Sequence, residues 1–153
     1  MKFYAIVLSV FLMVLSTACD KNNEQNDNIV GSGEITVTIG GKKSVFKEVN
    51  GTGLGDKIII GAALSDLDIE MILDADIVKG TYNKDKYAIT CGNGQGEAVF
   101  TTLTNVTSQS LTITDHDKAH NHVTGTFQLV YTDHETEASV KVEGSFDVKY
   151  TAL

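Results

Sequence analysis

The chain has 153 residues, a formal net charge of −8, 42% hydrophobic and 21% charged residues. That is the composition of one ordinary globular domain able to build its own core, and it excludes a chain disordered throughout. The acidic balance, with no basic patch in any window, sets nucleic-acid binding aside, because phosphate backbones reward clustered Lys and Arg.

The first residues read as an address. Met1-Lys2 is a minimal positive start, Phe3–Leu15 an apolar run, and Ser16-Thr17-Ala18 supplies small residues directly before Cys19. The run suits a signal h-region and is short for a membrane-spanning helix. A cysteine at the first mature position offers the thiol that receives diacylglycerol, and a multiply acylated terminus anchors stably. The segment resembles a lipobox, with Ser16 standing where Leu is usual, a looser form similar to that of Bacteroidota lipoproteins. Asp20–Asn28 is polar throughout and cannot offset its own ordering entropy, so it reads as a tether. The expected organisation is a signal peptide over 1–18, the lipidated Cys19 and polar tether over 19–32, and a single β-domain over 33–153. The membrane is then a partner through lipid. The address is the cell envelope, at the outer membrane, facing either the periplasm or the cell surface.

From Ile29 onward the dominant period is two. Glu34–Ile39 alternates, Gly40-Gly41-Lys42 turns, and a second strand is expected over Ser44–Asn50. Gly51–Asp56 reads as a glycine-rich connection. Lys57–Leu64 is a more continuous apolar run, and Ser65-Asp66 turns it into a hairpin partner with Leu67, Ile69, Met71 and Leu73 on one face. Val78–Tyr82 looks like a loop entering a short strand. Tyr87–Cys91 and Glu97–Thr102 flank a glycine-rich hairpin turn, and Ser110–Asp115 makes another strand. The pattern is clearest at the end. Val123, Gly125, Phe127, Leu129 and Tyr131 share one face, as do Val140, Val142, Gly144, Phe146, Val148 and Tyr150. A one-residue slip would expose the whole apolar set, so this hairpin is firmly specified. No helical stripe of ten residues occurs. The expectation is an all-β, antiparallel sandwich of about nine strands, with a small up-and-down, calycin-like barrel as the alternative.

The order of short motifs carries a resemblance. Gly-Gly-Lys follows an early strand, Val-Lys-Gly-Thr-Tyr stands mid-chain, Val-Thr-Gly-Thr-Phe comes late, and Glu-Gly-Ser-Phe-Asp-Val-Lys-Tyr closes the domain. Over roughly residues 33–150, with the lipobox before it, the chain looks like a family of small Bacteroidota lipoproteins carrying a β-rich domain of unknown function. The resemblance implies the fold and the address, and brings neither an activity nor functional residues.

One cluster offers chemistry. Asp115, His116, Asp117, His120 and His122 fall within eight residues of a connection before the penultimate strand. In an extended segment His120 and His122 face the same way. With Asp115 or His116 alongside, imidazole and carboxylate suit zinc or another divalent transition metal. The competing reading is a solvated loop, rich in Asp, Asn and His because these tolerate turn geometry. His134 follows His122 by twelve residues, about 40 Å along a straight strand, too far to share the site.

Other constellations fail sooner. Asp66, Asp68 and Glu70 read as the solvent face of a strand rather than a calcium loop. With Cys19 assigned to lipid, Cys91 stands alone and reads as a small buried hydrophobe. Neither Gly-x-Ser-x-Gly nor His-Glu-x-x-His occurs, and no catalytic set or organic cofactor is expected. The leading role is a non-enzymatic binding or structural module of the envelope, meeting a protein or glycan partner through the Asp115–His122 loop. A barrel holding a small apolar ligand against Phe100, Phe127, Leu129 and Phe146 comes second, and a metal-binding protein third. No motif specifies an oligomeric state.

Overall fold

The computed structural model describes residues 31–133 and 135–153; residues 1–30, over which the signal peptide, Cys19 and most of the tether are expected, and His134 lie outside the described residues. The described chain forms twelve strands and no helix. They are β1 (Ser32–Ile39), β2 (Lys42–Phe46), β3 (Val49–Leu54), β4 (Lys57–Ala63), β5 (Asp68–Asp74) and β6 (Gly80–Tyr82). The rest are β7 (Tyr87–Gly92), β8 (Ala98–Thr101), β9 (Val106–Asp117), β10 (His122–Thr132), β11 (Ser139–Lys149) and β12 (Thr151–Ala152).

Two six-stranded sheets pack together as a sandwich, one in the order β2-β1-β11-β10-β9-β6 and the other β12-β3-β4-β5-β7-β8. The expected all-β sandwich is what forms, with more strands than the nine anticipated. Every pairing is antiparallel except β12 on β3, where Thr151 lies beside Thr52. The sheets do not close into one barrel, which corrects the calycin-like alternative. Their outermost strands are too short to join, with β2, β6, β8 and β12 holding five, three, four and two residues. Short edges also limit the backbone offered to foreign strands.

The break in the expected Ser44–Asn50 strand has a simple cause. Phe46 and Val49 are both buried, at 1% and 2% exposure, yet lie three residues apart. One continuous strand would send them to opposite faces. The chain instead leaves the first sheet after Phe46 and enters the second at Val49. Gly51 and Gly53, expected in a connection, belong to β3. A Cβ on Gly51 would meet Tyr150 Cβ at 2.9 Å, and one on Gly53 would meet the Tyr150 ring at 3.4 Å. The glycines are there because Tyr150 lies on that strand as β11 passes across to β12.

Alternation sets the core as expected elsewhere. Ile69, Met71 and Leu73 of β5, the odd residues Val123, Phe127, Leu129 and Tyr131 of β10, and Val142, Phe146 and Val148 of β11 are all buried. Phe100, Phe127, Leu129 and Phe146 are 0%, 1%, 2% and 3% exposed. Side chains lining a ligand chamber would be open to a water-sized probe, so these four are close-packed instead.

The registers give the sandwich two poles. At one, Ser32 pairs with Lys149, His122 with Asp117, and Lys57 with Asp74. The described chain enters here, and its last residue Leu153 donates to Gly53 O here. We term this the entry pole. The opposite pole carries the β1–β2, β4–β5, β7–β8 and β10–β11 turns, and Lys42 reaches Asp66 between its sheets at 3.4 Å. Gly40 and Gly41, at φ 54° and 89°, make its tightest hairpin turn.

Candidate functional site

The histidine-rich segment lies at the entry pole, and only part of it is a loop. Asp115, His116 and Asp117 complete β9, residues 118–121 turn, and His122 opens β10. Asn121 supplies the left-handed residue of that turn at φ 50°. The extended geometry that would align His120 with His122 is therefore absent, because the chain reverses between them.

Each histidine has its own partner. His116 Nδ1 lies 2.8 Å from Ile77 O and its Nε2 lies 2.9 Å from the Tyr150 hydroxyl. A carbonyl only accepts, so Nδ1 carries the proton, and in the neutral ring Nε2 accepts from Tyr150. This half-buried side chain joins three elements: β9, the β5–β6 connection and the crossing from β11 to β12. His120 Nδ1 meets Asp117 Oδ2 at 2.6 Å. That hydrogen bond is the main reason that the Asp117 carboxyl lies below its ordinary range. His122 Nε2 meets Asp147 Oδ1 on β11 at 2.6 Å. Asp115 is exposed, opposite Thr124. Among the described residues, no three His, Cys, Asp or Glu side chains are placed to hold one metal ion.

A second cluster adjoins the turn. Lys57 Nζ bonds Asp74 Oδ1 at 2.6 Å, Lys86 Nζ reaches Asp74 Oδ2 at 3.1 Å, and the same ammonium meets Asp76 Oδ1 at 3.1 Å. The Lys57 hydrogen bond is the main reason that the Asp74 carboxyl lies below its ordinary value. An open cleft of about 550 Å³ lies over these groups, lined by Asp56, Asp74, Ala75, Asp76, Lys86 and Lys118. Ala75 N–H donates to Asp56 O at 2.8 Å, which fixes the β5–β6 connection against the β3–β4 turn. Spacing along the chain did not reveal this cleft. Lys57 opens β4, Asp74 ends β5 and Lys86 immediately precedes β7, and only the register of β4 on β5 on β7 unites them.

The chemistry available is ionic and hydrogen-bonding. Core groups that could serve as nucleophile or acid, Cys91, Tyr87 and Tyr131, are shut in. Burial pushes the Cys91 thiol and the Tyr87 phenol each up to about 12, so both keep their protons at neutral pH. The carboxylates expected on a solvent face are there with local duties. Asp68 accepts from Gly94 N–H at 3.0 Å, and Asp66 faces Lys42.

No protein-family model, no curated protein and no solved structure matches this chain. The reading of its function rests on its own residues.

Proposed function

We propose that this chain is a lipid-anchored module of the cell envelope, non-enzymatic, whose sandwich serves as a binding or structural unit at the outer membrane. The observation that carries the reading is the sequence Phe3–Leu15, Ser16-Thr17-Ala18, Cys19, followed by a polar stretch that delivers the chain to one pole of a close-packed domain. Such a run and its small residues suit export and processing, and Cys19 then becomes the acylated terminus. The similarity to small Bacteroidota lipoproteins points the same way. The domain's sealed core and mutually paired charges suit a rigid scaffold presenting turns, with function on its loops. A protein or glycan partner would be met by the turns around Asp115–His122 or at the opposite pole.

The test is a Cys19→Ala variant expressed beside the parent chain. The parent is expected to float with membranes and to take up labelled palmitate, and the variant to do neither. A variant that still floats and still takes up label overturns the reading.

A further inference from the structure

We propose that the entry pole rests directly on a phospholipid surface, with Leu54, Val78 and Leu153 seated at the headgroup level. This deepens the anchored reading above and rests on it. The first observation is where the apolar side chains are left uncovered. Of the five large apolar side chains exposed among the described residues, Leu54, Val78 and Leu153, at 55%, 58% and 85%, stand at the entry pole, while Leu64, at 39%, stands at the opposite pole and Leu103, at 62%, on the β8–β9 connection. The three at the entry pole form one rim. Leu153 follows Ala152, which lies beside Gly53, so Leu153 ends next to Leu54. The bond from Ala75 N–H to Asp56 O draws the β3–β4 turn to the connection carrying Val78. Val78 is fixed in turn, because the Tyr82 hydroxyl bonds its carbonyl at 2.8 Å.

The second observation is reach. Twelve residues run from Cys19 to Gly31, and fully extended they span about 40 Å. The twelve-residue β9 and eleven-residue β11 give the domain a length of about 36–40 Å. Turning the opposite pole to the membrane would consume the whole tether alongside the domain. The entry pole needs none of it.

The third observation is charge. At the entry pole Lys57, Lys79, Lys86, Lys118 and Lys149 stand against Asp56, Asp74, Asp76, Asp115, Asp117 and Asp147. That near balance suits zwitterionic headgroups. At the opposite pole Asp66, Asp68, Glu97, Glu135 and Glu137 outweigh Lys42 and Lys43, so an anionic surface would repel that end. The Asp115–His122 turn would then meet lipid headgroups rather than a protein.

The chain has no Trp, so single tryptophans can report depth. The lipidated protein carrying Leu54→Trp, or Leu153→Trp as a second probe at an open site, is reconstituted in vesicles of phosphatidylethanolamine and phosphatidylcholine. Leu64→Trp, at the opposite pole, is the comparison. Brominated lipid is expected to quench the first two by about twofold or more relative to the third, as interfacial side chains require. Vesicle-bound protein with equal quenching at all three positions overturns the docked pole while leaving the anchor intact. Protein that fails to float with the vesicles overturns the anchor, and the docked pole with it.

Discussion

The ring of Phe146 lies against Gly125, its partner across the β10–β11 pair, so closely that a Cβ on the glycine would sit 2.6 Å from Cζ. Two residues along, the relationship is reversed, and Phe127 of β10 covers Gly144 of β11. Each large ring thus fills the space that the facing residue leaves empty, and the two strands interlock along the core face. Gly→Ala at either position is expected to cost about 1–3 kcal/mol, the usual penalty for forcing atoms into a filled core. Urea denaturation of Gly144→Ala measures it. In a Phe127→Leu background the same substitution is expected to cost less. A fully additive pair would show that the ring is not what excludes the methyl group.

The link from His116 to Tyr150 leads to a second prediction. Tyr150→Phe keeps the ring on Gly51 and Gly53 but removes the hydroxyl that Nε2 of His116 bonds. A half-buried nitrogen is left unpaired, and the expected loss is about 1 kcal/mol. That is about 3–4 °C in Tm for a domain of this size. In a His116→Phe background the tyrosine substitution is expected to have little further effect. An equal loss in both backgrounds would assign the hydroxyl another role.

These two relationships also show what sequence could and could not disclose. The faces of β10 and β11 were legible because alternation over ten residues leaves one consistent register. Gly125 and Gly144 sit on the inward faces that alternation predicts, and Gly125 also borders an irregularity in the β9–β10 register, but nothing local shows that each faces an aromatic ring across the β10–β11 pair. The strand break between Phe46 and Val49 was hidden because both flanking runs have strand character. A change of sheet leaves no mark except the altered parity of the buried residues. Glycines in β3 read as a loop, since nothing local announces that Tyr150, about a hundred residues on, will lie across them. The histidine cluster was conspicuous by composition, but its partners Ile77, Tyr150 and Asp147 lie 39, 34 and 25 residues away from the histidines they meet. Long-range partners decide what such a cluster does, and single-sequence patterns do not name them.

Cys91 supplies a chemical prediction. Its thiol is fully buried in β7, and burial together with the Asp68 carboxylate raises it to about 12. Thiolate, the reactive form, is therefore scarce at neutral pH, and the sulfur is out of reach. Native Cys19→Ala protein is expected to resist iodoacetamide at pH 8 and to label stoichiometrically in denaturant. Rapid labelling without denaturant would mean that β7 opens readily at the β8 edge.

Two carboxyls of β5 make opposite demands on pH. Asp74 is paired with Lys57 and Lys86, and its folded-state value lies below the ordinary 3.8. Its contribution is therefore fully present above 3.8 and disappears as pH falls through the depressed value. Glu70 sits half-buried on the outer face, where burial and then the neighbouring Asp68 raise it above the ordinary 4.5. Below 4.5 it is protonated in both folded and unfolded chains and has no effect. As pH rises through the elevated value, its ionisation costs stability in the folded state alone. Asp74→Asn is thus expected to lower Tm at pH 7 and to converge with the parent as pH drops below 3.8. The exposed lysines limit the loss to about 1 kcal/mol. Glu70→Gln is expected to raise Tm at pH 7, by about 2 °C if it stays within the usual 0.5 kcal/mol of a surface change. That gain should vanish below pH 4.5. Thermal melts of the three proteins between pH 3 and 8 separate the effects. Curves that stay parallel across the range would remove both carboxyls from the pH response of the fold.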